Sequence, residues 1–292
     1  MSEYLLGLVG HPLSHSLSPI LHNAALQACG LKGEYRLFDI PPEKLNSDLK
    51  TIFDSGLTGF NVTIPYKQDI YRLCGEKTAQ AQLTGAVNTV KVNNEKLIGH
   101  NTDTIGFQIA LLEAFNANLK NETALVIGVG GAARAIVAAL AQMGLAKVYL
   151  KGRDSEKVNS FINEMQSSLC QITNNLSASL SLEIYDANKS DQIALAVNAT
   201  PIGLLSELPA QWLISLIDQL PKNCFCFDVV YQKDGSKPIF TNLAIKRNLP
   251  AIDGLSMLIH QARYAFEFWT GLTVSKEILY RAIKELANQK HK

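Results

Sequence analysis

The chain has 292 residues and a formal net charge of +1. That length is enough for two domains with a sizeable core, and the balanced charge offers no basic surplus for nucleic acid and no basic amphipathic segment for a membrane surface. The first residues read as neither a signal peptide nor a transmembrane span, and the five cysteines are odd in number and lack a Cys-x-x-Cys spacing, so buried thiols in a cytoplasmic protein are expected, with no disulfide and no metal site.

Tyr4-Leu5-Leu6-Gly7-Leu8-Val9-Gly10 reads as the first strand. It runs into His11-Pro12-Leu13-Ser14-His15-Ser16-Leu17-Ser18-Pro19. Ser18 before Pro19 predicts a helix start, with a hydroxyl N-cap and proline at the first helical position. Ile20, Leu21, Ala24, Ala25 and Ala28 then share one face. Three hydroxyls and His15 thus collect at a helix N-terminus, a place that suits an anion such as a carboxylate. Spacing alone leaves this even with a plainer reading, in which Ser18 caps and the rest is loop.

Residues 35–40 form a second strand, broken by Pro41-Pro42, with a helix from about 43 to 54 after it. Residues 59–64 form a third, ended by Pro65, and Tyr66-Lys67 open another helix. Asn61, Thr63 and Lys67 then stand at a strand end facing the crevice of an open α/β sheet, where ligands bind. A lone lysine is more often a solvated surface group; this position favours a role. Residues 85–92 and 97–99 flank Asn93-Asn94-Glu95-Lys96, which predicts a hairpin with a polar turn. His100-Asn101-Thr102-Asp103-Thr104 follows, with Asp103 a helix cap by default, and then a helix carrying Ile105, Ile109 and Leu112.

The second half is organised around Gly128-Val129-Gly130-Gly131-Ala132-Ala133-Arg134. Ala124-Leu125-Val126-Ile127 before it reads as a fully buried parallel strand, and the alanine-rich run after it, up to Gly144, as a helix. Strand, glycine turn and helix in that order is the context a dinucleotide fingerprint requires. The glycines allow a tight turn and close approach of a pyrophosphate, and Ala133 is small enough for helix–strand packing. The plain alternative is an ordinary tight turn. Residues 147–150 are the next strand, ended by Lys151-Gly152-Arg153-Asp154, and 155–168 the next helix. The Ser- and Asn-rich stretch 169–182 has weak periodicity. Residues 193–197 form a buried strand running into Asn198-Ala199-Thr200-Pro201, and 224–230 another, ending at Tyr231. Such alternation means a parallel sheet. After Asp253-Gly254, Leu255, Leu258, Ile259, Ala262, Phe266 and Trp269 recur at helical spacing, and a second helix spans about 275–288. Two helices without a new strand predict a return to the first domain.

Together these motifs resemble those of the shikimate dehydrogenase family over almost the whole chain. The resemblance is carried by Gly10-x-Pro12-x-x-His15-Ser16-x-Ser18-Pro19-x-x-His22-Asn23, Asn61-Val62-Thr63-Ile64-Pro65-Tyr66-Lys67, Gly85-Ala86-Val87-Asn88-Thr89 and Asn101-Thr102-Asp103. It continues through Gly128-x-Gly130-Gly131-Ala132, Asn198-Ala199-Thr200-Pro201, Asp228-Val229-Val230-Tyr231 and Asp253-Gly254-x-x-Met257-Leu258-x-x-Gln261. It implies an α/β chain with an N-terminal open α/β substrate-binding domain, residues 1–101 completed by helices from 255–292, and a Rossmann dinucleotide-binding domain, residues 102–254. It implies reversible NADPH-dependent reduction of 3-dehydroshikimate to shikimate, on the route to chorismate and aromatic amino acids. A cytoplasmic monomer or homodimer is expected, without nucleic acid or membrane partners. By position, Ser16 and Ser18 would hold the substrate carboxylate. Thr63, Lys67, Asn88, Asp103 and Gln261 would surround the ring hydroxyls, with Tyr231 also on the substrate and Lys67 and Asp103 the catalytic pair. Gly128, Gly130, Gly131, Ala132, Lys151, Arg153, Thr200 and Gly254 would bind NADP.

Two places depart from the family pattern. Where relatives often carry Asn-Arg-Thr to grip the adenosine 2′-phosphate, this chain has Gly152-Arg153-Asp154, and His100 stands where Asp or Tyr is commoner. NAD-specific Rossmann domains place an acidic side chain at the end of the second strand; here that position is Lys151. NADP is therefore expected to be preferred over NAD, by a smaller margin than in relatives with the full motif. Asp154 either faces inward and opposes the phosphate, or faces outward and caps the helix from Ser155; a cap is favoured. Two other readings stand beside this one: a quinate/shikimate dehydrogenase using NAD or NADP, and a non-catalytic ligand-sensing regulator. Intact Lys67 and Asp103 and the absence of a DNA-binding segment argue against the regulator.

Overall fold

Leu6, Val9, Phe60 and Val90 leave no surface to water, and the strands that carry them build the first of two sheets. The structure is a computed structural model that describes residues 3–45, 47–49, 56–93, 96–116, 118–172, 180–204 and 211–289. The strands are β1 (Tyr4–Gly10), β2 (Gly33–Asp39), β3 (Gly59–Val62), β4 (Glu76–Lys77), β5 (Thr89–Asn93), β6 (Lys96–His100), β7 (Thr123–Ile127), β8 (Lys147–Lys151), β9 (Ser181–Ile184), β10 (Ile193–Asn198), β11 (Phe225–Asp228) and β12 (Ala251–Ile252). The helices are α1 (Ser18–Ala28), α2 (Lys67–Leu73), α3 (Ala79–Thr84), α4 (Asp103–Phe115), α5 (Gly131–Gln142), α6 (Ser155–Ile172), α7 (Gln211–Asp218), α8 (Ile239–Lys246), α9 (Leu255–Thr270) and α10 (Lys276–Gln289). The chain divides into two units, Met1–Gly106 with Leu258–Lys292, and Phe107–Met257. No helix among the described residues is long and apolar enough to cross a membrane.

The sheet of the first unit has the order β2-β1-β3-β5-β6-β4. β1 runs parallel to β2 and β3, while β5 runs antiparallel to both β3 and β6. The reversal at β5 matters for function: it brings the ends of β1, β3 and β6 and the start of β5 to one edge. The C-terminal segment closes this unit. Trp269 of α9 donates its indole N–H to the Val90 carbonyl at 2.8 Å, and Gly59 makes the seat, since a Cβ there would stand 2.6 Å from the indole ring.

In the second unit β12-β11-β10-β7-β8-β9 are all parallel. Ala124, Leu125 and Val126 of β7 are fully buried, as expected for a central strand covered on both faces. The strand order reverses between β7 and β10, so their C-terminal ends form the switch point at which ligands bind in open α/β sheets.

Several local expectations are corrected. Ser18 is not the N-cap of α1: Leu17 holds that position without a side-chain cap bond, and Ser18 is the first helical residue. The Ser16 hydroxyl instead accepts from the Ser18 N–H at 3.2 Å. Asp103 likewise begins α4, and its N–H donates to Asn101 Oδ1 at 3.1 Å. Residues 85–88 are not strand, because Gly85 takes a φ of +60° to end α3. α4 buries Phe107, Ala110 and Leu111, whereas Leu112 is 49% exposed, so the buried face is rotated from the expected one. Cys74, Cys224 and Cys226 are buried, but Cys29 is partly exposed and Cys170 exposed; all five are free. After Pro41 comes a 3-10 turn, Pro42–Lys44, and residues 45 and 47–49 after it are helical as expected; residues 46 and 50–54 of the expected helix, the hairpin turn at 94–95 and residues 173–179 lie outside the described residues.

His22 gives the first unit a pH dependence. It is buried in α1, stacked on Tyr35 at 4.5 Å and 10°, and tilted against Trp269 at 5.1 Å. Burial pushes its pKa down to about 3, only partly offset by a bond to Asn61. An unfolded histidine titrates near about 6.5, so the neutral ring's contribution is full above that pH and is lost as pH falls toward the folded value. Between pH 7 and pH 5 this group alone should remove about 2 kcal/mol of stability. Denaturant unfolding of wild type and His22→Gln at both pH values measures it: the pH-dependent loss should be about 2 kcal/mol smaller in the variant.

Candidate active site

The edge where β1, β3, β5 and β6 meet carries a buried polar network. Lys67, the first residue of α2, places Nζ 2.5 Å from Asp103 Oδ2, with the two side chains 12% and 8% exposed. The Lys67 carbonyl accepts from the Val87 N–H at 2.9 Å, which fixes the start of α2 against the segment entering β5. Asn88 is the hub. Its amide donates to Asp103 Oδ1 at 2.8 Å, to Thr102 Oγ1 at 3.0 Å and to Gln261 Oε1 at 3.3 Å. Its oxygen accepts from the Thr102 N–H at 2.7 Å and from the Thr89 hydroxyl at 3.0 Å. Asn61 at the edge of β3 donates to the Asn88 carbonyl at 3.0 Å. Both Asp103 oxygens are therefore taken by donors, one ionic and one amide, and the carboxylate can only accept. The Lys67 ammonium has three donors, and Asp103 uses one, leaving others for a ligand oxygen.

The serine loop lies at the same edge. His11 N–H donates to the Ile64 carbonyl at 2.9 Å, and a Cβ on Gly10 would stand 2.3 Å from Thr63 Cγ2, so the loop after β1 lies directly against Thr63. Asp39 fixes the loop from its other side: His11 Nδ1 lies 2.7 Å from Oδ1, and the Leu13 N–H donates to Oδ2 at 3.1 Å. That histidine bond holds the Asp39 carboxyl below the usual range. Ser18 is buried and Ser16 half-buried. Of the expected substrate residues, Ser16, Ser18, Thr63, Lys67, Asn88, Asp103 and Gln261 belong to the first unit, and Tyr231 to the second. Thr102, Thr89 and Asn101 also belong to this network, although the sequence motifs assign them no role of their own.

The second unit has the features of a dinucleotide cradle. Gly128 takes a φ of +115°, a conformation open to glycine, and a Cβ there would stand 3.0 Å from the Ala199 carbonyl oxygen. α5 starts at Gly131 without a side-chain cap, so its first N–H groups remain for an anion. Lys151 ends β8 beside this turn, Arg153 is exposed, and Asp154 Oδ1 accepts from the N–H groups of Glu156 and Lys157 at 3.0 and 3.2 Å, capping α6. After β10, the Thr200 hydroxyl donates to Asn198 Oδ1 at 2.6 Å, and the Asn198 amide donates to Asp228 Oδ1 at 2.9 Å. Burial pushes the Asp228 carboxyl up to about 7. Gly254 packs on the loop that leads to Tyr231: a Cβ would stand 2.1 Å from the Val229 carbonyl oxygen. These residues fit a pyrophosphate at the glycine turn and cationic groups for a phosphate beyond it.

Comparison with known proteins covers both units. Residues 8–90 match the family model for the shikimate dehydrogenase substrate binding domain, residues 110–187 that for shikimate / quinate 5-dehydrogenase, and residues 254–284 that for the shikimate 5'-dehydrogenase C-terminal domain. A shikimate dehydrogenase (NADP(+)) of Crocosphaera subtropica is 36% identical over 284 residues, which is 96% of this chain and 96% of the relative. Among solved structures, shikimate dehydrogenase from Aquifex aeolicus superposes with a TM-score of 0.82 at 31% identity, covering 96% of this chain and 97% of the other. The shikimate 5-dehydrogenase of Thermus thermophilus, solved in complex with NADP(H) and shikimate, superposes with a TM-score of 0.77 at 32% identity, covering 97% and 99%.

Proposed function

The chain belongs to the shikimate dehydrogenase family of NADP-dependent oxidoreductases, and from that premise we propose that Lys67 and Asp103 form the acid–base unit that interconverts 3-dehydroshikimate and shikimate. The observation that carries this is the short Lys67–Asp103 contact, half enclosed by a network that fixes the carboxylate on both sides. A nicotinamide cofactor, held at the glycine turn Gly128–Ala132 with Arg153, would supply the hydride for reduction of the ketone. As negative charge develops on the ketone oxygen, the Lys67 ammonium stabilises it and delivers a proton from Nζ. Asp103 holds that ammonium and keeps it aimed. Asn88 keeps Asp103 from turning away. Ser16 and Ser18 receive the substrate carboxylate, and Thr63 and Gln261 its hydroxyls; Tyr231 is assigned to the substrate by its place in the family motif. Oxidation of shikimate with NADP, followed by NADPH absorbance, tests the whole reading; no absorbance change with either shikimate or quinate would overturn it. Five free thiols fit a cytoplasmic site of action.

Ser16 has two duties in this reading. It accepts from the Ser18 N–H at 3.2 Å, while its O–H is available to donate to the carboxylate. A hydrogen bond to a charged group contributes about 1.5–3 kcal/mol, so Ser16→Ala should raise KM for shikimate about tenfold or more with kcat little changed. Steady-state kinetics against shikimate concentration checks it, and an unchanged KM removes Ser16 from the site.

Arg153 is assigned to the 2′-phosphate of NADP, because a guanidinium meets a phosphate with two parallel hydrogen bonds. Arg153→Ala should lower kcat/KM with NADP by about 10- to 100-fold and spare NAD. Parallel measurements with both cofactors decide it.

A further inference from the structure

Lys151 ends β8, and the Gly128 N–H donates to its carbonyl at 2.8 Å, so its backbone is tied to the glycine turn. Its side chain reaches an aromatic pair. Nζ lies 5.4 Å from the ring centroid of Tyr185 and 5.9 Å from that of Trp212. Three separate elements deliver these groups: Lys151 the end of β8, Tyr185 the residue after β9, and Trp212 the first turn of α7. Tyr185 is itself fixed. Its N–H donates to the Leu150 carbonyl at 2.9 Å, its hydroxyl bonds Gln219 at 3.5 Å, and its ring meets Tyr149 edge-on at 6.4 Å. Trp212 keeps 38% of its surface exposed, an open indole at the C-terminal edge of a parallel sheet.

A lysine is a point charge on a flexible stem. Two ring faces within about 6 Å attract an ammonium electrostatically and narrow the space it samples. The neighbouring tripeptide needs such help: Gly152 has no side chain, and the Asp154 carboxylate is occupied with capping α6. We propose that Tyr185 and Trp212 are positioning residues that hold the Lys151 ammonium as a second cation, beside Arg153, for the 2′-phosphate of NADP. NAD offers a neutral hydroxyl at that place, so the arrangement acts on the choice between the two cofactors. The proposal rests on the reading of the glycine turn and Arg153 as the cofactor site.

The test is calorimetric binding of NADP, NAD, adenosine 2′,5′-bisphosphate and 5′-AMP to wild type, Lys151→Met, Trp212→Leu, the double variant and Arg153→Ala, each first shown to melt cooperatively. Lys151→Met should weaken NADP and the bisphosphate about tenfold, and Trp212→Leu about three- to tenfold. NAD and 5′-AMP should bind the variants as they bind wild type. The double variant should be no weaker than Lys151→Met alone, because the indole acts through the lysine. A Trp212→Leu loss shared equally by NADP and NAD would overturn the proposal in favour of adenine stacking on the indole. An unchanged NADP-to-NAD ratio in Lys151→Met would overturn it outright. Arg153→Ala separates the two levels: if it also leaves the ratio unchanged, the site reading itself fails, and if it lowers the ratio while Trp212→Leu does not, only the aromatic clamp fails.

Discussion

Replacing Lys67 with alanine should lower kcat by about 10²-fold or more, the usual scale of general acid–base catalysis, while the KM for shikimate changes far less. The reasoning is geometric. Asp103 Oδ2 is 2.5 Å from Nζ and Oδ1 is 2.8 Å from the Asn88 amide. Deleting the ammonium removes both the proton donor and the only cation bonded to this carboxylate among the described contacts. Asp103 then faces the ketone oxygen as a bare acceptor, which opposes the charge that develops there. Single-turnover kinetics with NADPH and 3-dehydroshikimate isolates the chemical step. A near-normal rate in Lys67→Ala would remove the residue from the mechanism. Asp103→Ala should fall into the same range, and the double variant should be little worse than either single one, since groups acting as a unit are strongly non-additive.

Asn88→Ala should damage stability and activity at once. The substitution leaves Asp103 Oδ1 without its amide donor and the Thr102 N–H without its 2.7 Å acceptor, both in a buried setting. Each orphaned buried group costs about 1–3 kcal/mol, so a loss of about 2–6 kcal/mol and a Tm lower by about 3–10 °C are expected. Activity should also fall by about tenfold or more, because the carboxylate that aims Lys67 is freed. Thermal melting and kcat measured on the same preparation decide it. A variant with wild-type Tm would show that Asn88 is not the hub its contacts describe.

The parts of this molecule that were legible in the sequence are those written in consecutive residues. Ala124 to Arg134 holds strand, turn and helix in one run, and no distant residue is needed to read them. The Lys67 helix start was likewise visible, because Pro65 ends one element just before it. What escaped depends on backbone angles or on partners far along the chain. Ser18 and Ser16 are two residues apart and chemically alike, and only the local dihedrals decide which one supports the start of α1. Val87 looks like a strand residue, yet Gly85 turns left-handed and delays β5 to Thr89. The short β4 and α3 fill a stretch with no period to read. Asn88 is one asparagine among many by composition; its importance comes from Asp103 and Gln261, 15 and 173 positions away. Tyr185 and Trp212 are invisible for the same reason: they meet Lys151 only because the chain after β9 and the start of α7 reach the same edge of the sheet.

The seat that Gly59 and Val90 make for Trp269 sets an order of events on the ribosome. Synthesis is vectorial, and domains generally fold as units as they emerge. The second unit is continuous, Phe107–Met257, so all of its residues are made before Leu258–Lys292. The first unit begins earlier but must wait, because Leu258–Lys292 belongs to it. Until Trp269 is made, the Val90 carbonyl lacks its indole donor and the seat at Gly59 lacks its ring. At the end of that interval all residues of the second unit have been made, but not all of those of the first.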